Sequence, residues 1–210
     1  MRFAMDDDVP HPAWPADMLI TEERRDGHLL PLLYAHCAWG IDVVPEFTHP
    51  TAQPAPARRP VRIADEQLRD TWVTVYRETL EARITKPIPV AMDDDNVLPA
   101  LQAWKAAAPP ALDDRYRSDW DDEAYLGWLD QVAPVEDPVE YPDAVVPALV
   151  TAWRAGLRAV TVLPVTEPFV RWSCPAELIV SVATRSDVRR FSEALASRRE
   201  GPREDREGLR

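Results

Sequence analysis

Residues 143–197, DAVVPALVTAWRAGLRAVTVLPVTEPFVRWSCPAELIVSVATRSDVRRFSEALAS, are the stretch in which helix, strand and turn signals agree from end to end. Val146, Leu149, Val150, Trp153 and Leu157 recur at helical spacing, Asp143 stands ahead of them as an N-cap, Pro147 fits the first turn, and Gly156 is placed to end the helix. Three runs rich in Val, Ile, Thr and aromatic residues follow at 157–165, 169–174 and 178–184, separated by Thr-Glu-Pro and Pro-Ala-Glu turns. They predict a three-stranded antiparallel meander. In the third run Leu178, Val180, Val182 and Thr184 share one face and Ile179, Ser181 and Ala183 the other, so both faces suit a covered central strand. Ser186 or Asp187 then caps a last helix with Val188, Phe191, Ala194 and Leu195 on one side and Arg185, Arg189, Arg190 and Arg198 largely opposite.

Upstream the periodicity is helical. Residues 28–38 form an apolar run stopped by Gly40, and 65–85 carry the continuous stripe Leu68, Trp72, Val75, Tyr76, Thr79, Leu80 and Arg83 or Ile84 behind Asp65 and Glu66. A short helix is expected over 96–107. Another opens near Ser118 and Asp121, with Trp120, Ala124, Trp128 and Val132 at four-residue steps. Residues 41–47 have the composition of a short strand. The expected fold class is therefore α+β: a mainly helical N-terminal two-thirds packed with a C-terminal α-β-β-β-α unit. It reads as a single globular domain over 1–197, with the Pro-rich loop 48–60 as the one internal boundary, and a disordered tail at 198–210 that has little apolar surface to offset its ordering entropy. Three segments share a formula, Leu30-Pro31-Leu32 before Trp39, Leu98-Pro99-Ala100 before Trp104 and Val146-Pro147-Ala148 before Trp153, read as Pro in a first helical turn with a buried Trp about two turns later.

Net charge is −12, which opposes non-specific binding to nucleic acid or anionic membrane. The acid is concentrated: residues 93–143 hold 14 acidic side chains against 3 basic, whereas 144–210 hold 8 against 11. Cys37 and Cys174 are the only cysteines and lie in apolar runs, as in a reduced cytoplasmic protein, and no run approaches a membrane span. The six glycines are never clustered in the folded body, so the sequence holds neither a phosphate cradle nor a dinucleotide turn, and a G-x-S-x-G elbow is also missing. His28 and His36 lack the close ligand spacing that anchors zinc sites, and the Asp triplets at 6–8 and 93–95 lack the alternating oxygens and central Gly of a calcium loop. No cofactor is expected.

The unusual component is tryptophan beside acid. Trp120 and Trp128 lie in the most acidic segment with Asp119, Asp121, Asp122 and Tyr125, and aromatic anchors with a carboxylate rim suit a basic protein partner or self-association. The expected function is a non-catalytic binding or assembly protein, an inhibitor, adaptor or structural subunit, using Asp119, Trp120, Asp121, Asp122, Tyr125 and Trp128. Two alternatives stand beside it. One is a small carboxylate- or metal-dependent enzyme that joins helix-start acids to His28 or His36. The other is a nucleic-acid-associated protein using the C-terminal arginines.

Overall fold

The computed structural model describes residues 14–43, 49–60, 63–85, 119–134 and 140–197. Within them the chain is α+β. Its elements run β1 Thr21–Glu23, α1 Leu29–Ala38, α2 Asp65–Thr85, α3 Asp122–Val132, α4 Val146–Arg154, β2 Ala159–Leu163, β3 Val170–Cys174, β4 Glu177–Ser181, α5 Val182–Ser186 and α6 Val188–Ala196. The four strands make one mixed sheet in the order β1-β2-β4-β3. The expected helix over 96–107, the 198–210 tail and Ser118 lie outside the described residues. Residues 41–43 are not strand.

The sheet corrects the meander. β2 pairs in parallel with both β1 and β4, and β3 pairs only with β4, antiparallel, at the edge. Strand composition explains the order. β4 is buried along its whole length and takes the centre, whereas β3 opens on exposed Val170 and half-buried Arg171, which suit an edge. Residues 164–169 make the hop past β4: six extended residues reach ~20 Å, about twice the spacing to a next-nearest strand. Phe169 fastens this hop, its backbone N–H donating to Ser181 Oγ and Thr184 Oγ1, both at 3.1 Å. The third run also ends sooner than its alternation implies. Ser181 Oγ accepts the Thr184 N–H at 3.0 Å and turns Val182–Ser186 into helix, because a local cap competes with strand extension.

Helices cover both faces. On one, α1, α2 and α3 pack against Leu163, Val165 and Ile179; on the other, α4 and α6 pack against Val160, Val162, Leu178 and Val180. α1 is buried on nearly every side, consistent with an apolar sequence that lacks a polar face. Asp26 starts it, its Oδ1 accepting from Leu29 N at 2.6 Å and His28 N at 3.0 Å. Gly40 ends it at φ 55°, and Gly156, at φ 112°, ends α4. Trp72 Nε1 donates to Leu32 O at 2.9 Å and joins α2 to α1.

Arg83, near the end of α2, reaches the sheet between two buried carboxylates. It bonds Asp26 through Nη2 and Glu177 Oε1 through Nη1, the latter at 2.5 Å. Glu177 is satisfied further by Thr161 Oγ1 at 2.7 Å and Ser173 Oγ at 2.6 Å. Burial alone raises the pKa of Asp26, but the Arg83 charge and the N–H bonds from Leu29 and His28 outweigh it and hold the carboxyl below its ordinary 3.8.

Arg83→Met leaves two buried carboxylates without their cation and should cost ~3–5 kcal/mol of unfolding free energy in urea melts. Because the folded pKa of Asp26 lies below the unfolded one, its contribution is present at neutral pH and lost as pH falls from ~5 through the folded value. Asp26→Asn should therefore give a flatter stability profile than wild type between pH 5 and 2, read by denaturant melts at each pH.

Candidate partner-binding surface

The acidic segment folds as α3 because Asp121 caps it. Its carboxylate accepts the Ala124 N–H at 2.9 Å, and Asp122 and Glu123 add charge to the first turn. The helix then presents Trp128, Leu129 and Val132 inward at helical spacing.

The structure divides the sequence candidates into two sets. Asp119, Asp121 and Asp122 are exposed, together with Glu123. Trp120 and Trp128 are buried, only 8 % and 3 % exposed, and Tyr125 is half-buried. These rings converge on Tyr34 of α1, with centroids at 5.3 Å for Trp120, 5.3 Å for Tyr125 and 5.5 Å for Trp128, and Trp39 meets Trp120 at 5.6 Å. Most of the contacts are tilted or edge-to-face, the arrangements that quadrupoles favour. Trp128 Nε1 also donates to Ala52 O at 2.7 Å, which holds α3 to the extended segment 51–60. The two tryptophans are thus the base of the surface, and the carboxylates are its rim. Tyr34 is the residue that sequence reading missed; it lay in an apolar helix with nothing to tell its contact from core.

Between α3 and Gln53, Pro54 and Ala55 runs an open groove of about 450 Å3, with Tyr34 and Trp128 in its lining and Asp121 and Glu123 along one wall. Tyr34 is 2 % exposed, yet its Oη has no hydrogen-bond partner among the described residues, and neither does Trp120 Nε1. Burial first, and the Asp121 charge second, push the Tyr34 hydroxyl above its ordinary pKa. Gly127 also lines the groove. A Cβ there would meet nothing within 4 Å, so packing does not require glycine at this mid-helix position.

The residues of the alternatives are arranged otherwise. His28 and His36 stand at opposite ends of α1, and burial lowers the pKa of His36. Among the described residues no three His, Cys, Asp or Glu side chains come close enough to hold a metal ion. Burial raises the Cys37 thiol to about 11, which leaves it protonated and unreactive at neutral pH. The expected arginine face is smaller than its sequence count. Arg185 turns inward to Glu22, whereas Arg189 and Arg190 are solvated and face Glu193 and Asp187 at 3.8 and 3.5 Å.

Trp128→Ala should cost ~3–5 kcal/mol in equilibrium unfolding, the range of a large buried aromatic. Tyr34→Phe, which removes only a buried hydroxyl without a partner among the described residues, should leave the unfolding free energy unchanged or raise it by up to ~1 kcal/mol.

No family model, curated protein or solved structure matches this chain, so its function is read from residues and geometry alone.

Proposed function

We propose that this is a non-catalytic protein-binding protein whose α3 groove receives a basic segment of a protein partner. The observation that carries this reading is the conjunction of Gly127 with the carboxylate wall. A glycine in a helix interior costs ~1 kcal/mol relative to alanine, and here no neighbour within 4 Å of a Cβ demands it. What the missing side chain does provide is width in a groove walled by Asp121 and Glu123 and based on Tyr34 and Trp128. Asp119 and Asp122 extend the negative field on the exposed side.

The division of labour follows. The aromatic cluster of Tyr34, Trp120, Tyr125 and Trp128 fixes the position of α3, and Tyr34 and Trp128 give the groove an apolar base. The carboxylates steer and orient a cationic partner. A basic chain laid in the groove neutralises like charges that otherwise face one another across the first turn of α3. No helix among the described residues is long and apolar enough to cross a membrane, and α3 is held by its own core rather than by lipid.

The test separates folding from recognition. Gly127→Ala should stabilise the protein by ~0.5–1 kcal/mol while weakening partner capture, because it improves the helix and narrows the groove. The combined Asp119→Asn, Asp121→Asn, Asp122→Asn and Glu123→Gln variant keeps a good N-cap at 121 and should slow association on the order of tenfold with a flattened salt dependence. Native mass spectrometry of complexes recovered from the source cells, followed by stopped-flow with the recovered partner at several salt concentrations, gives both readings. A partner that binds all variants and wild type alike would refute the assignment.

A further inference from the structure

A second concavity lies at the carboxyl ends of the parallel strands. Arg24 follows β1, Pro164 follows β2, and Val182 and Arg185 belong to α5, which continues from β4; all four line a partly open space of about 110 Å3 with Val132 and Val162. Crevices beyond the carboxyl ends of parallel strands are where sheets of this kind hold ligands, because the loops diverge there and leave room. The walls are mainly aliphatic. The charge is cationic: Arg24 and Arg185 share one carboxylate, Glu22, through Arg24 Nε to Oε1 at 2.7 Å and Arg185 Nε to Oε2 at 2.8 Å. Among the described residues Glu22 is the one side-chain carboxylate that these two guanidiniums bond.

Arg185 is pre-positioned. Its side chain is 10 % exposed, it lies over the rings of Tyr141 at 4.3 Å and Phe191 at 5.0 Å, and its Nη2 donates to Glu140 O at 3.1 Å. Glu22, whose side chain is only 2 % exposed, is held in turn by Tyr141 Oη at 3.0 Å. Arg24 is different: its side chain is 48 % exposed, and among the described residues only its Nε has a partner. Among the described residues its two amino groups have no hydrogen-bond partner, and Arg24 lines the cavity with the planar fork that matches a carboxylate.

The geometry points to a binding site for a small aliphatic monocarboxylate, its oxygens on the amino groups of Arg24 and Arg185 and its alkyl part among Val132, Val162, Pro164 and Val182. The space has room for about four water-sized groups, the bulk of acetate or propionate. Inorganic phosphate would satisfy the cations and leave the aliphatic wall without a partner. This site is independent of the α3 groove, which lies on other residues.

Titration of the full chain with sodium propionate, followed by isothermal calorimetry and by shifts of backbone amides at 162–164 and 182–186, should show saturable binding at millimolar concentration. Propionamide and inorganic phosphate should bind at least about tenfold more weakly, a difference of one hydrogen-bonded ionic contact or of the lost apolar contact. Arg24→Lys, which keeps a cation beside Glu22 Oε1 but loses the planar fork, should weaken propionate about tenfold. Val182→Ile, which fills the cavity from its wall, should weaken propionate while preserving the fold. Equal affinity for propionate and propionamide, phosphate binding as tight as propionate, undiminished binding by both variants, or no saturable shift by 50 mM, well above the millimolar range of so small a ligand, would each overturn the assignment.

Discussion

Arg83 is the hinge between the two halves of this structure. A guanidinium brought to the sheet by α2 meets Asp26, which starts α1, and Glu177, which opens β4. All three are withdrawn from water, so none is tolerable without the others: an isolated buried charge costs several kcal/mol, and pairing with full hydrogen bonding offsets it. The consequence is geometric as much as energetic. Asp26 cannot cap α1 and also satisfy Arg83 unless α1, α2 and β4 hold one relative placement, whereas apolar packing alone tolerates sliding. The helical layer and the sheet are therefore locked in register by three side chains.

A second carboxylate repeats this on the opposite face. Glu22 of β1 gathers Arg24, Tyr141 and Arg185, and so joins the edge strand to the segment before α4 and to α5. Both networks were invisible in the sequence. Glu22, Asp26, Glu177 and Arg185 looked like surface charge, and Arg83 stood only as one of two residues that could close the stripe of α2, since local composition cannot say which charges find partners 57 to 163 residues away. The local features were legible for the opposite reason. Gly156 ending α4, Asp187 capping α6 through Arg190 N and the buried stripe of α2 each depend on residues within a few positions.

Strand order shows where that legibility stopped. Three adjacent β-rich runs read as neighbours because consecutive strands usually pair. Here the two fully buried runs, β2 and β4, took the interior side by side, and the fourth strand came from Thr21-Glu22-Glu23, whose two glutamates argue against a strand. β1 exists through its backbone bonds to β2 and through the burial of Glu22. At the candidate surface the aspartates were legible as exposed helix-start acid. The depth of the tryptophans depended on Tyr34, a residue on another helix.

The pairing of β1 with β2 has a kinetic consequence. Thr21 lies opposite Ala159, about 140 residues along the chain, while β3 and β4 close a tight hairpin. Loop-closure entropy grows with that separation, and non-local strand pairing is slow to reward the chain for it. During synthesis the segment that becomes β1 emerges early and has no strand to join until β2 has left the ribosome. Docking of β1 therefore has to wait for the synthesis of β2, whose edge away from β4 it covers.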